Sequence, residues 1–236
     1  MNIIGIIPAR MESERLPGKP LIEIGGVSMI RRVYESVVKS NLFDKIIVAT
    51  PNQEIHDHVN EFGKAIITSN DPLNGTERVF EAYKKLDEKF DFIVNIQGDE
   101  PFIKKEQLSD LISICKEPNK ICTLVKKEEY SDNLERESVM KVVINSNNEA
   151  MYFSRSLIPY QTVKKNYLKH ICIYAYDPST LKKIISLPES SLEKYESLEQ
   201  LRWLENGFKI NVKITNLDSF SIDTKEDLIL AENYIN

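Results

Sequence analysis

The sequence predicts an α/β fold: a mostly parallel sheet with helices on both faces and a smaller antiparallel insertion. Three observations carry this. Short apolar runs alternate with amphipathic segments through the first 126 residues. The runs are β-branched and nearly continuous, the pattern of strands buried on both faces. From about Cys122 to Tyr176 the pattern changes to strand-like segments with little helix between them.

In chain order, Ile3–Ile7 is the first strand, apolar apart from Gly5. Ser28 can cap a helix carrying Met29, Ile30, Val33, Val37 and Val38 on one face. Lys45–Thr50 (KIIVAT) is a second buried strand, followed by a helix from about Gln53 to Phe62, whose His56 and His58 read as surface residues. Ala65–Thr68 is a short third strand, and Thr76–Leu86 is a helix with Val79, Phe80, Tyr83 and Leu86 inward. Phe90–Gln97 is a strand ending at Gly98-Asp99-Glu100-Pro101, and a helix follows from about Lys105 to Cys115. In the insertion, Val139–Ile144, Ala150–Arg155 and Leu168–Tyr176 read as strands, with a turn signal at Ser146-Asn147-Asn148. Helices return at about Ser179–Ser186 and Ser191–Asn206, the latter closed by Gly207. Lys209–Ile214 is a last strand, and Thr224 caps a terminal helix with Glu226 and Asp227 in its first turn. All 236 residues read as one domain with the insertion at about 122–176.

Composition narrows the function classes. Apolar residues make up 42% and charged residues 28%, which places the 27.2 kDa chain among globular proteins. With 31 Lys and Arg against 36 Asp and Glu, the net charge of −5 argues against a chain-wide nucleic-acid surface. Cys115, Cys122 and Cys172 cannot all pair and show no zinc spacing, which fits a reducing compartment. The opening MNIIGIIP has no basic leader region and stops at Pro8 and Arg10, so no signal peptide is expected. No apolar run approaches the ~20 residues that span a bilayer. The expectation is a cytoplasmic protein with no membrane insertion.

In an open parallel sheet, ligands sit beyond the carboxyl ends of the strands. The segment after the first strand, PARMESERLPGKP, places Arg10, Arg15 and Lys19 at such an end. Cations and free backbone N–H groups there suit a triphosphate; a solvated basic loop reads equally well from these residues alone. Ser13 and Pro20 exclude a Walker A loop, and no GxGxxG occurs. Asp99, closing the Phe90–Gln97 strand, is placed to hold Mg²⁺, as is Asp223, although each reads as well as a turn or cap residue. Asn74-Gly75-Thr76-Glu77-Arg78 opens a helix whose N–H groups can meet a base or ribose, or simply cap the helix. In the second half, Arg155, His170, Glu199 and Gln200 are polar candidates, the last two on a helix whose core positions are Leu198 and Leu201.

Together these segments resemble the 3-deoxy-manno-octulosonate cytidylyltransferases. The similarity runs in order through IIPARMESERLPGKPL, KIIVAT, NGTERV, VNIQGDEP, MYFSRSLIPY, KHICIYAY, LEKYESLEQLRWLENG and IDTKEDL, essentially the whole chain. The resemblance implies a nucleotide-diphospho-sugar-transferase-like fold, related to the Rossmann type, and a homodimer. It implies the reaction of CTP with 3-deoxy-D-manno-octulosonate (Kdo) to give CMP-Kdo and diphosphate, for the lipopolysaccharide inner core. It further implies that Arg10, Lys19, Asp99 and Asp223 are catalytic, with Asp99 and Asp223 binding Mg²⁺. By the same resemblance Pro8, Ala9, Arg10, Ser13, Arg15, Lys19, Ser69, Thr76, Arg78 and Gln97 meet the nucleotide. Gln97, Arg155, His170, Glu199 and Gln200 then meet the sugar.

Three segments depart from the family pattern. SGTDR is here NGTER, HIGIY is HICIY with Cys172 for glycine, and SGVDTPEDL is SFSIDTKEDL with Ser221 for glycine. The Cys172 and Ser221 changes fall near the sugar end and admit 8-amino-3,8-dideoxy-Kdo or another 3-deoxy ulosonic acid as substrate. A catalytically silent nucleotide-binding regulator is the reading from another class. It would require loss of the metal or phosphate residues, and all are present.

Overall fold

The computed structural model describes residues 1–13, 15–116, 120–218 and 220–235. Glu14 of the basic loop and Ser219 before the second aspartate lie outside the described residues. The chain divides into two compact units, residues 1–109 with 219–236, and residues 110–218.

The first unit begins with β1 (Ile3–Pro8), the two-residue strands β2 (Glu23–Ile24) and β3 (Val27–Ser28), α1 (Met29–Ser40) and β4 (Lys45–Thr50). It continues through α2 (Gln53–Asn60), β5 (Ala65–Ile67), α3 (Gly75–Lys84) and β6 (Phe92–Asn95). Strands β6, β1, β4 and β5 lie side by side, all parallel, with Gly5 opposite Val94 and Ile6 opposite Ile47. Ile3, Ile4, Ile6 and Ile7 are buried, as their unbroken apolar run requires. α1 buries Met29, Ile30, Val33, Tyr34 and Val37, whereas Val38, expected inward, turns to solvent one step around the helix. Ser28 stands at the N-cap of α1, but its hydroxyl does not cap; it pairs with His58 Nε2 at 2.7 Å. His58 is thereby tied to α1 and is half-buried.

α4 (Lys105–Ser113) leads into the second unit, which holds β7 (Ile121–Glu129), β8 (Lys141–Ile144), β9 (Ala150–Ser154) and β10 (Asn166–Tyr176). It then holds α5 (Pro178–Ile185), α6 (Ser191–Glu196), α7 (Glu199–Glu205) and β11 (Ile210–Thr215). β11 runs parallel to β7, β7 antiparallel to β10, and β8 antiparallel to β9. The antiparallel pairs fall between residues 121 and 176, but the unit is wider, because β11 joins it through β7. Strand β7 has no counterpart in the sequence reading: its second half, Lys126-Lys127-Glu128-Glu129, carries no apolar pattern.

The helix expected over Ser191–Asn206 is two helices. Ser197 adopts a left-handed conformation, φ 52°, and Leu198 resumes extended backbone before α7. An unbroken helix would spend the Glu196 and Ser197 carbonyls on its own ladder. Here they accept from Arg155 instead, Nε at 2.8 Å and Nη2 at 3.1 Å.

α8 (Lys225–Ile235) returns to the first unit, its start fixed reciprocally by Thr224 and Asp227. Leu16, Ile24, Met29, Ile222 and Ala231 form one apolar cluster there, with Phe102, Phe220, Leu228 and Ile235 packed on it. The basic loop and the segment carrying Asp223 are thus anchored to the same core. The three cysteines are thiols. No helix among the described residues is long and apolar enough to cross a membrane.

Candidate active site

In the first unit the loop after β1 is folded onto itself. Gly18 N–H donates to the Met11 carbonyl at 3.0 Å, closing the loop, and Gly18 takes φ +70°, which its lack of a Cβ permits. Met11 N–H is held by Asn52 Oδ1 at 3.0 Å, and Ser13 Oγ accepts from Leu16 N–H at 3.4 Å. Ala9 is buried, its N–H donating to the Ala49 carbonyl at 2.9 Å. Beside it, a Cβ on Gly98 would meet the Pro8 carbonyl oxygen at 2.9 Å. Glycine is therefore what lets the segment after β6 pass under the end of β1.

That close passage brings Lys19 and the two aspartates together. Lys19 Nζ donates to Asp99 Oδ2 at 2.6 Å and to Asp223 Oδ1 at 3.0 Å. Arg15 reaches the other oxygen of Asp223 at 3.2 Å. The Ile222 N–H donates to the Asp99 carbonyl at 2.9 Å, fixing the two aspartate segments against each other. Burial alone would lower the Lys19 ammonium; Asp99 and then Asp223 outweigh it and hold Lys19 above its ordinary value. Among the described residues no group of three or more His, Cys, Asp or Glu is arranged to hold a metal ion. The two carboxylates expected to hold a metal, Asp99 and Asp223, converge on Lys19.

Arg78 is buried on α3, donating to Thr68 Oγ1 at 2.6 Å and the Ser69 carbonyl at 3.1 Å. Burial, then the neighbouring positive Arg10, push its guanidinium down, opposed by Glu81 and Glu12. Arg10 itself is exposed and bears no hydrogen bond or ion pair with the described residues. Ser69 is held by Glu81, which accepts from its N–H at 2.7 Å and its hydroxyl at 2.9 Å. Asn74 caps α3, accepting from Glu77 N–H at 2.9 Å. Thr76 is buried in the first turn, and Gln97 is half-buried beyond β6.

The second unit holds the other candidates. Arg155 uses Nε, Nη1 and Nη2 on the carbonyls of Glu196, Glu137 and Ser197, each Nη keeping a second N–H. Glu196, which nothing in the sequence singled out, accepts from Ser154 Oγ at 2.6 Å and Arg155 N–H at 2.9 Å. Lys141 was also missed, although a lysine inside the run VMKVVI is a signal. Its side chain is buried and its ammonium donates to the carbonyls of Val139 at 2.5 Å, Arg136 at 3.3 Å and Arg155. Burial pulls this ammonium down. His170 is buried, and burial pulls its imidazole down to about 3, so it is neutral at pH 7. Gln200 is buried on α7, its amide 3.9 Å from Met140 Sδ, and Glu199 is half-buried beside it.

The family profile described as cytidylyltransferase matches residues 4–214. A 3-deoxy-manno-octulosonate cytidylyltransferase of Parabacteroides distasonis is 48% identical over 242 residues, covering 97% of this chain and 96% of that protein. Its counterpart in Fusobacterium nucleatum is 45% identical over 240 residues, covering 100% and 97%. Among solved structures, CMP:2-keto-3-deoxy-manno-octonic acid synthetase complexed with CTP superposes with a TM-score of 0.91 at 37% identity, covering 100% of this chain and 98% of that one.

Proposed function

The chain belongs to the 3-deoxy-manno-octulosonate cytidylyltransferase family, and on that premise we propose that it transfers CMP from CTP to Kdo, releasing diphosphate. The observation that carries the chemistry is the convergence of Lys19, Asp99 and Asp223 at the ends of β1 and β6. The anomeric hydroxyl of the sugar attacks the α-phosphorus and diphosphate leaves. Such a transfer asks the protein mainly for positioning and charge compensation. Arg10, Arg15 and Lys19 supply cations to the triphosphate. Arg10 bears no hydrogen bond or ion pair with the described residues, and its nearness to Arg78 makes an incoming polyanion more favourable. The capped start of α3 presents N–H groups to the nucleoside, and Ser69, its own N–H and hydroxyl held by Glu81, lines the same place.

Asp99 and Asp223 would hold Mg²⁺. Two converging hard-oxygen ligands, already balancing a cation, fit an ion that keeps much of its water. When bound, the ion would polarise the phosphate and favour the ionised hydroxyl. In the second unit, Arg155, His170, Glu199 and Gln200 take the sugar, with the remaining Arg155 N–H groups available to its carboxylate. The enzyme would act as a homodimer, as the family resemblance implies, and in the cytoplasm, which its thiols fit.

A diphosphate-release assay with CTP, Mg²⁺ and a panel of ulosonic acids tests the reading. Turnover is expected with Kdo and strong preference for CTP over UTP, since a pocket that hydrogen-bonds one base edge rejects another. Binding of CTP without turnover on any sugar would instead favour the silent regulator. A second reading, in which 8-amino-3,8-dideoxy-Kdo is the preferred sugar, rests on Cys172, which stands where the family pattern has glycine and whose thiol lies 3.6 Å from His170 Nδ1. A higher kcat/KM with that sugar than with Kdo would establish it.

A further inference from the structure

His170 is gripped by its neighbours in the second unit. Nε2 lies 2.9 Å from Thr123 Oγ1, and Nδ1 lies 3.6 Å from Cys172 Sγ. The ring meets Phe153 edge-on and leans on Tyr174. Thr123 Oγ1 also lies 2.7 Å from the Ile173 carbonyl oxygen and 3.3 Å from that of Ile171. These carbonyls turn toward Thr123 because β10 bulges there: the register against β7 passes from Ile171–Leu124 directly to Tyr174–Thr123, skipping Cys172 and Ile173.

The proton count decides what the imidazole can do. A threonine hydroxyl has one proton. Two oxygens at 2.7 Å need a proton between them, so the Thr123 hydroxyl donates to Ile173 and offers His170 only lone pairs. The ring must then donate from Nε2. A neutral imidazole carries a single N–H, so Nδ1 is left as a bare acceptor. Cys172, half-buried where His170 is buried, stands on the side of that lone pair.

We propose that Thr123 is a positioning residue that fixes His170 as the Nε2–H tautomer, so that Nδ1 accepts a hydrogen bond from a hydroxyl of the sugar. The Cys172 thiol donates to that lone pair until the sugar hydroxyl replaces it. His170 is accordingly a reader of a hydroxyl donor and not a partner of the sugar carboxylate. This rests on the reading that His170 faces the sugar.

The test uses the full-length protein labelled with ¹⁵N, in which long-range ¹H–¹⁵N correlation reports which ring nitrogen carries the proton. The expected spectrum without ligand shows Nε2 protonated and Nδ1 unprotonated; a ring protonated at Nδ1 would overturn the proposal. Adding Kdo with α,β-methylene-CTP, which cannot react, should move the Nδ1 signal and leave Nε2 in place. If Nε2 is protonated but neither nitrogen responds to Kdo, the proposal falls because His170 does not meet the sugar, while its tautomer stands. Thr123→Val should mix the tautomers and raise the KM for Kdo about tenfold, the cost of one misplaced hydrogen bond, with the KM for CTP unchanged. Thr123→Ser should restore both. Unchanged kinetics and tautomer in Thr123→Val, or no rescue by Thr123→Ser, would count against the role. Should Thr123→Val not fold, the wild-type spectrum and Thr123→Ser still decide.

Discussion

The Lys19 ammonium lies 2.6 Å from the Asp99 carboxylate, although the two residues are 80 positions apart and leave the sheet from different strands. The juxtaposition follows from backbone packing. Gly18 closes the first loop, Gly98 slips beneath Pro8, and the Leu16–Ile24–Met29–Ile222–Ala231 cluster brings Asp223 to the same place. Lys19 is then shared by two carboxylates that would otherwise repel, with Arg15 adding a second cation to Asp223.

Replacing Lys19 by Met removes that compensation. Unfolding stability should fall by about 1–3 kcal/mol, since two partly buried carboxylates lose a shared partner. Added Mg²⁺ should raise the melting temperature of the variant more than that of the wild type, because the ion would take the vacated position. Equal shifts in calorimetry would remove the two aspartates as metal ligands.

Asp99→Asn and Asp223→Asn should each retain the native far-UV circular dichroism spectrum and lose at least about 100-fold in kcat, the scale of removing one charge-stabilising group from a reacting centre. Steady-state diphosphate release measures it. Near-normal turnover in either variant at modest magnesium would withdraw that residue from catalysis.

His170 predicts a pH dependence of stability. Its folded pKa, about 3, lies below the unfolded value, so the unfolded chain binds the proton more tightly. Stability from this group is full above about pH 6.5 and declines as pH falls toward 3. The decline should amount to roughly 3 kcal/mol between pH 7 and pH 4. Denaturant melts across that range should be flatter for His170→Gln than for the wild type; parallel curves would refute a buried neutral imidazole.

Arg155→Lys keeps the charge but cannot reach the Glu196, Glu137 and Ser197 carbonyls together. The expected result is a loss of about 1–2 kcal/mol in stability. A several-fold rise in the KM for the sugar should accompany it, while CTP affinity by calorimetry stays the same. Weakened CTP binding with an unchanged sugar KM would reverse the proposed roles.

Much of this was legible in the residues. The parallel strands of the first unit announce themselves because strands buried on both faces carry few polar residues, and Ile3–Ile7 and Ile47–Ala49 are such runs. Arg10, Lys19 and Asp99 stand at strand ends, where position alone suggests a site. What escaped is whatever depends on partners distant in sequence. β7 hides its second half behind KKEE, and Lys141 and Glu196 acquire their roles only through carbonyls and hydroxyls that the fold delivers. The break at Ser197 was invisible because residues 191–206 satisfy helical spacing locally, and Arg155, more than 40 positions away, is what competes for the carbonyls.

That break has a consequence for how substitutions combine. Arg155 terminates α6 from outside, with a cation at the negative end of the helix. The tolerance of position 197 therefore depends on position 155. With Arg155 present, a helix-favouring Ser197→Ala works against a left-handed residue and should be harmful. With Arg155 removed, the same change faces fewer competitors, the Leu198 N–H still holding the Glu193 carbonyl, and should cost less. The two sites should be epistatic: how much a change at Ser197 costs is set in part by Arg155, so drift at one position alters what the other tolerates.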